Sequence, residues 1–217
     1  MNQIHQTGNE ANTNYELVVK HDQARFLARD PWEMAACTGL FLKEDQILVP
    51  YFGVDFSLCI KDAVITYADG RKALPPVYIR MMILHHLLEA KKGAVLAGEF
   101  VTMHSLKDTC VHTEAFNNRA VYPLARAFAA NLEAFRKAGE ALGGVPAPGG
   151  DHAFILYAFP TIPIKYIFWD GDDEVPAAAN VLFDANVTDF THPEDVIGLG
   201  EYGAYYLIDC LQGDPQI

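Results

Sequence analysis

The sequence predicts an α+β fold, an antiparallel or mixed sheet with helices packed mainly on one face. Three observations carry that expectation. Apolar residues alternate between helical spacing and short strand-like runs, in the order helix, strands, helix, strand, helix, strands, helix. Glycine and proline punctuate these segments at Asp69-Gly70, Pro75-Pro76 and Gly143-Gly144, and no internal repeat is visible. Hydrophobic residues make up 51% of 217 residues and aromatics 12%. A chain of that length buries roughly 70% of its unfolded surface without needing disulfides or a metal to hold it together.

Residues 1–13, rich in Asn, Gln, Thr and Gly, read as a flexible N-terminal tail, and residues 14–217 as a single α+β domain. From Tyr15 onward Leu17, Val18, His21, Ala24, Arg25, Leu27 and Ala28 recur at helical spacing. Asp30-Pro31 ends that helix or opens a short one, WEMAACTG, closed by Gly39. The runs 46–52, 56–60 and 63–67 suit short antiparallel strands, and Pro50 marks its strand as an edge or a bulge. The run VYIRMMILHHLLEAKK (77–92) predicts a helix buried on more than one side, with His86 in the middle of its apolar face. A strand is expected over Glu99–His104. A long helix follows, starting near Val121 because Pro123 is costly deeper inside, after a separate turn at Asn117-Asn118, and running to Leu142. Strands are expected at 152–159, 164–169 and 179–184. The last helix begins at THPEDV, with Thr191 as N-cap and Glu194 completing a capping box. Gly198 and Gly200 leave open whether it is one helix or two.

The 28 acidic and 16 basic residues give a net charge of −12, which disfavours nucleic-acid binding; the Lys91-Lys92 and Arg136-Lys137 pairs are read as solvated surface. Cys37, Cys59, Cys110 and Cys210 never form a CxxC pair, so neither a zinc ribbon nor an iron-sulfur spacing is present. The N-terminus has no cationic start and no apolar core, so no secretory signal is expected. Charge or proline interrupts every apolar stretch before it could span a membrane, and a reducing, cytoplasmic setting is the expectation.

The stretch FPTIPIKYIFWDGDDEVPAAANVLFD (159–184) sets Asp170, Asp172, Asp173 and Glu174 between two apolar arms. Together with LHHLL, GEFVTMHSL, the Phe116–Arg119 stretch, the Leu142-Gly143-Gly144 helix end and HPEDV, it resembles a bacterial and archaeal family catalogued as domain of unknown function 3786. The resemblance covers about Ala73 to Leu211. That family is similar to a module of anaerobes, some members of which carry a separate iron-sulfur domain like that of corrinoid iron-sulfur proteins. The resemblance therefore implies a role around anaerobic metallocofactors, with a metal ion, haem or corrinoid as candidate cofactors, none of them singled out, and an iron-sulfur or corrinoid protein as a candidate partner. These 217 residues contain no such cysteine-rich segment, and the resemblance supplies no catalytic residues.

The candidate sites each carry a plainer alternative. Asp170, Asp172 and Glu174, joined by Asp184 if the strands bring it back, offer the oxygen ligands of a hard cation, though the spacing is not that of a calcium loop. The same acids suit the solvated turn of a hairpin or a contact for a basic partner. Trp169 beside them offers one wall of a pocket for a cationic or planar ligand, or a cap on the core. His86 could ligate a haem or metal ion with His104 or His112, joined by the Cys110 sulfur, or be a core histidine bonded to backbone, or a catalytic base. No Walker loop, dinucleotide fingerprint or GxSxG elbow occurs; the glycines of VIGLGEYG follow a helix start, not a strand. The expectation is a protein that binds or helps to handle a small ligand or metallocofactor, with two alternatives: an interaction module using an acidic surface, and an enzyme with a His/carboxylate pocket.

Overall fold

Two antiparallel sheets with helices packed around them make up the structure, a computed structural model that describes residues 9–106, 109, 112–213 and 217, with backbone alone for 9–13. Residues 1–8 of the expected tail and Cys110 lie outside the described residues. The chain divides into two compact units, Met1–Val49 with Asp55–Gly93, and Pro50–Val54 with Ala94–Ile217.

In the first unit, helix α1 (Asn9–Leu27) takes in residues 9–13 that composition assigns to the tail. It buries Val19, Asp22 and Phe26, whereas Leu17 and Leu27 are exposed. The face is rotated because a carboxylate sits in its middle. Asp22 accepts from Arg25 at 2.9 Å and lies 3.0 Å from His85 Nε2 on α3 (Val77–Glu89), while Arg25 reaches Glu89 at 2.7 Å. Helix α2 (Pro31–Thr38) has the expected signals: Asp30 caps it by accepting the Trp32 N–H, and Gly39 closes it at φ 69°. Helix α3 is buried on several sides, as its composition implies, but stops at Glu89 because Ala90 is extended (φ −59°, ψ 125°). Strands β1 (Phe41–Lys43), β2 (Gln46–Tyr51), β3 (Val54–Cys59) and β4 (Ile65–Tyr67) lie in that order in one sheet. Pro50 is thus in an inner strand. Its strand is an edge only locally, because β1 pairs with β2 no further than Leu48 and a missing N–H costs nothing beyond that point.

In the second unit, β5 (Phe100–Thr102), β6 (Val145–Pro146), β7 (His152–Phe159), β8 (Ile162–Trp169) and β9 (Ala178–Asp184) form a sheet of order β5-β9-β8-β7-β6. The central strand β8 is buried on both faces, with Ile164, Tyr166 and Phe168 on one and Pro163 and Ile167 on the other. The expected strand at 99–104 gives way after Thr102 to a 3-10 turn, Met103–Ser105.

The helix expected from Val121 to Leu142 is built differently. A short α4 (Thr113–Phe116) runs through a π turn at Asn117–Val121 into α5 (Tyr122–Phe128), and α6 (Leu132–Ala141) follows a break. Pro123 explains the π turn. Its ring would collide with the carbonyl of Arg119, four residues back, and the wider turn carries that carbonyl aside without ending the helix. The break comes from Ala130, at φ 58°, and from Asn131, whose side chain caps α6 by accepting the Ala134 N–H.

Helix α7 (Pro193–Asp209) is one helix. Its N-cap is His192, not Thr191: the imidazole Nδ1 accepts the Glu194 N–H at 3.3 Å, and Thr191 donates to Asp195 at 3.2 Å. Gly200 and Gly203 form a notch on its buried face. A Cβ on Gly203 would clash with the Tyr166 hydroxyl, and one on Gly200 would stand 2.6 Å from Phe183 and 2.9 Å from Phe116. The Tyr166 hydroxyl donates to Gly200 O at 3.2 Å. Gly203→Ala should therefore destabilise the protein by about 1–3 kcal/mol in urea denaturation. Adding Tyr166→Phe should recover part of that loss; two independent, additive costs would refute the notch.

Candidate functional site

The acidic tip is a tightly bonded loop between β8 and β9. Asp172 Oδ1 accepts the N–H groups of Glu174 at 2.9 Å and Val175 at 2.7 Å, and Asp172 N–H donates to Val175 O at 2.9 Å. Those two backbone donors hold the Asp172 carboxyl below the usual carboxylate range. Gly171 is required there, since a Cβ would meet the backbone of Ala177 and, at 2.7 Å, Val175 O. Asp170 turns away to accept the Ala130 N–H at 2.8 Å, which steadies the left-handed residue between α5 and α6. Asp173 and Glu174 are exposed.

Asp184 does not join the tip. The register pairs Trp169 with Ala178 and Ile164 with Phe183, which puts Asp184 at the opposite end of β9, about 20 Å of strand away. It is buried, and its two oxygens accept the N–H groups of Ala97 (2.9 Å), Gly98 (2.8 Å) and Asn186 (2.9 Å). Its work is to fasten the segment before β5.

Of the imidazole candidates, His86 is fully buried on α3 in the first unit. His104, on the 3-10 turn after β5, and His112, ahead of α4, are exposed residues of the second unit, as is Trp169 at the end of β8. Among the described residues no group of three or more His, Cys, Asp or Glu side chains is disposed to hold a metal ion.

Two arrangements escaped the sequence reading. On the π turn, Arg119 Nε lies 2.8 Å from Glu201 Oε1 of α7, an ion pair rather than an aligned hydrogen bond, so that the buried oxygen makes none. Burial raises the Glu201 carboxyl, with Arg119 opposing the shift. Burial, reinforced by Glu201, pushes the Tyr205 phenol up to about 12. Pro123, four residues after Arg119, is the signal the sequence carries for that turn.

The second arrangement is a cleft of about 590 Å³ in the first unit, lined by Asp30, Trp32, Glu33, Ala36, Cys37 and the Lys92-Gly93 pair. Helix α2 builds one wall. It turns Met34, Ala35 and Thr38 inward, which leaves Trp32 62% exposed on the other side. Lys92 and Glu33 pair across the cleft at 3.0 Å with side chains 83% and 51% exposed, an ion pair of roughly 0–1 kcal/mol. Cys37 is a free thiol. An aromatic face, carboxylates, an ammonium and a thiol can together hold a small ligand.

A protein-family model described as a domain of unknown function (DUF3786) matches residues 30–206. The chain belongs to the DUF3786 family. The match begins at Asp30, the cap of α2, so the DUF3786 region contains the whole cleft and both Arg119 and Glu201, while α1 precedes it. Neither the curated proteins nor the solved structures compared with the chain include a match.

Two outcomes test these assignments in the DUF3786 domain. Asp184→Ala, which strands three N–H groups, should cost about 3 kcal/mol or more, against about 1 for Asp172→Ala at the solvated tip. Glu201 binds its proton more tightly folded than unfolded, so its contribution is lost as pH rises above 4.5. Glu201→Gln should accordingly gain stability relative to the native chain between about pH 4 and about pH 7. A difference that stays flat across that range, measured by urea denaturation, would overturn the burial of that carboxyl.

Proposed function

We propose that this protein binds a small ligand and holds or delivers it in anaerobic metabolism, and that the Trp32 cleft is the binding site. Trp32 carries the reading. An indole is the largest apolar side chain to leave in water, and this one lines an open surface depression of about 590 Å³ beside charged groups. A cytoplasmic setting belongs to the same proposal, supported by the free thiols of Cys37, Cys59 and Cys210. An iron-sulfur or corrinoid protein is the partner proposed for delivery, on the strength of the family resemblance. The charge of −12 favours neither nucleic acid nor anionic surfaces as targets.

The chain has two tryptophans, so Trp169→Phe leaves Trp32 as the single indole reporter. In that variant, titration with a panel of small cationic, anionic and neutral organic compounds should give a saturable change in Trp32 emission for at least one class. Trp32→Ala should abolish ligand-induced thermal stabilisation while changing the unliganded protein by less than about 0.5 kcal/mol. Linear, collisional quenching by every class would refute the cleft as a site.

A further inference from the structure

Resting on that cleft reading, we infer that the ligand is an organic cation, a protonated amine, guanidinium or N-alkylated ring, seated between the Trp32 indole and the Asp30 and Glu33 carboxylates. Two carboxylates face one ammonium among the cleft residues, so the site keeps net negative charge even with Lys92 paired. The Lys92–Glu33 pair is exposed and weak, so Glu33 can exchange Lys92 for an arriving cation at little cost. Asp30 is placed differently. One of its oxygens accepts the backbone N–H of Trp32 at 2.9 Å, which holds a carboxylate beside residue 32 at the start of α2.

The same bond disposes of the opposite polarity. The N-terminus of α2 would otherwise attract an anion, but Asp30 occupies it: its carboxylate takes the Trp32 N–H and its carbonyl takes the Met34 N–H at 3.2 Å. An anionic ligand would have to displace a carboxylate fixed by the fold. A cation instead meets two carboxylates and an indole, the best aromatic partner for positive charge, among the residues lining the same depression. The overall charge of −12 raises its local concentration.

The test compares benzyltrimethylammonium with phenylacetate, ring compounds of similar size and opposite charge, by Trp32 emission in the Trp169→Phe protein. The cation should saturate at a concentration about tenfold lower than the anion, and added salt should weaken it. Asp30→Asn keeps a capping acceptor for α2 and removes the charge, and Glu33→Gln removes the other; each should weaken the cation several-fold at unchanged melting temperature, while Lys92→Ala should tighten it. Equal saturation by both probes, or tighter phenylacetate, overturns the cation assignment and leaves the cleft reading standing. Cation affinity indifferent to both carboxylate variants also overturns it. Saturation by neither probe, with only anionic or neutral compounds of the panel binding, refutes the cation alone; saturation by no compound refutes the cleft itself.

Discussion

The second unit depends on one buried hydroxyl. Tyr166 stands in the middle of the central strand, fully buried, and its phenol is raised well above its ordinary value by burial alone, so it acts only as a neutral donor. A buried O–H without an acceptor costs on the order of 1–3 kcal/mol. Its acceptor is Gly200 O, and reaching a helix carbonyl from a strand requires the helix to come closer than side chains allow. Gly200 and Gly203 are the residues that permit it. Phe52, Phe116 and Phe183 close around the same notch. The spacing of glycines that looks superficially like a nucleotide loop is therefore a packing device.

The acidic excess has a comparable explanation. Asp22, Asp30, Asp170, Asp172 and Asp184 each accept hydrogen bonds that fix a helix, a helix end or a loop. At the tip and at Asp184 those bonds come from backbone N–H groups, and replacing them by metal ligation would unfasten the loop. What separates these acids is burial: Asp184 bonds three donors out of water, whereas the tip acids compete with solvent for theirs.

Much of the fold was legible because it rests on local chemistry. Asp30-Pro31 with Gly39 defined α2, and the long apolar runs defined β7, β8 and β9, since caps and periodicity act over a few residues. The failures came where distant parts decide. Asp22 rotates the face of α1 because a histidine and an arginine stand opposite, and spacing cannot show a partner 63 residues away. Pro123 is a local exception: it predicts a helix starting near Val121, and the π turn that carries a helix past the same clash is a rare solution. His192 displaced Thr191 as cap because Asp195 holds the threonine. At the candidate sites the acidic tip could be read as a turn, but the Asp184 register and the approach of Lys92 to Glu33 are tertiary facts.

The two tryptophans differ in what the fold demands of them. Trp169 is 40% exposed, yet it ends β8, pairs across the strand with Ala178 and starts the loop that Asp170 fastens, so the sheet accounts for it. Trp32 has no such role. The buried contribution of α2 comes from Met34, Ala35 and Thr38, and its N-terminus needs only the backbone N–H of residue 32, which any residue but proline supplies. A smaller polar side chain there would serve the helix equally and spare the exposure of an indole. The exposed part of the Trp32 side chain adds little to the packing of α2, and under the proposed reading a ligand covering it would recover burial that folding leaves unused.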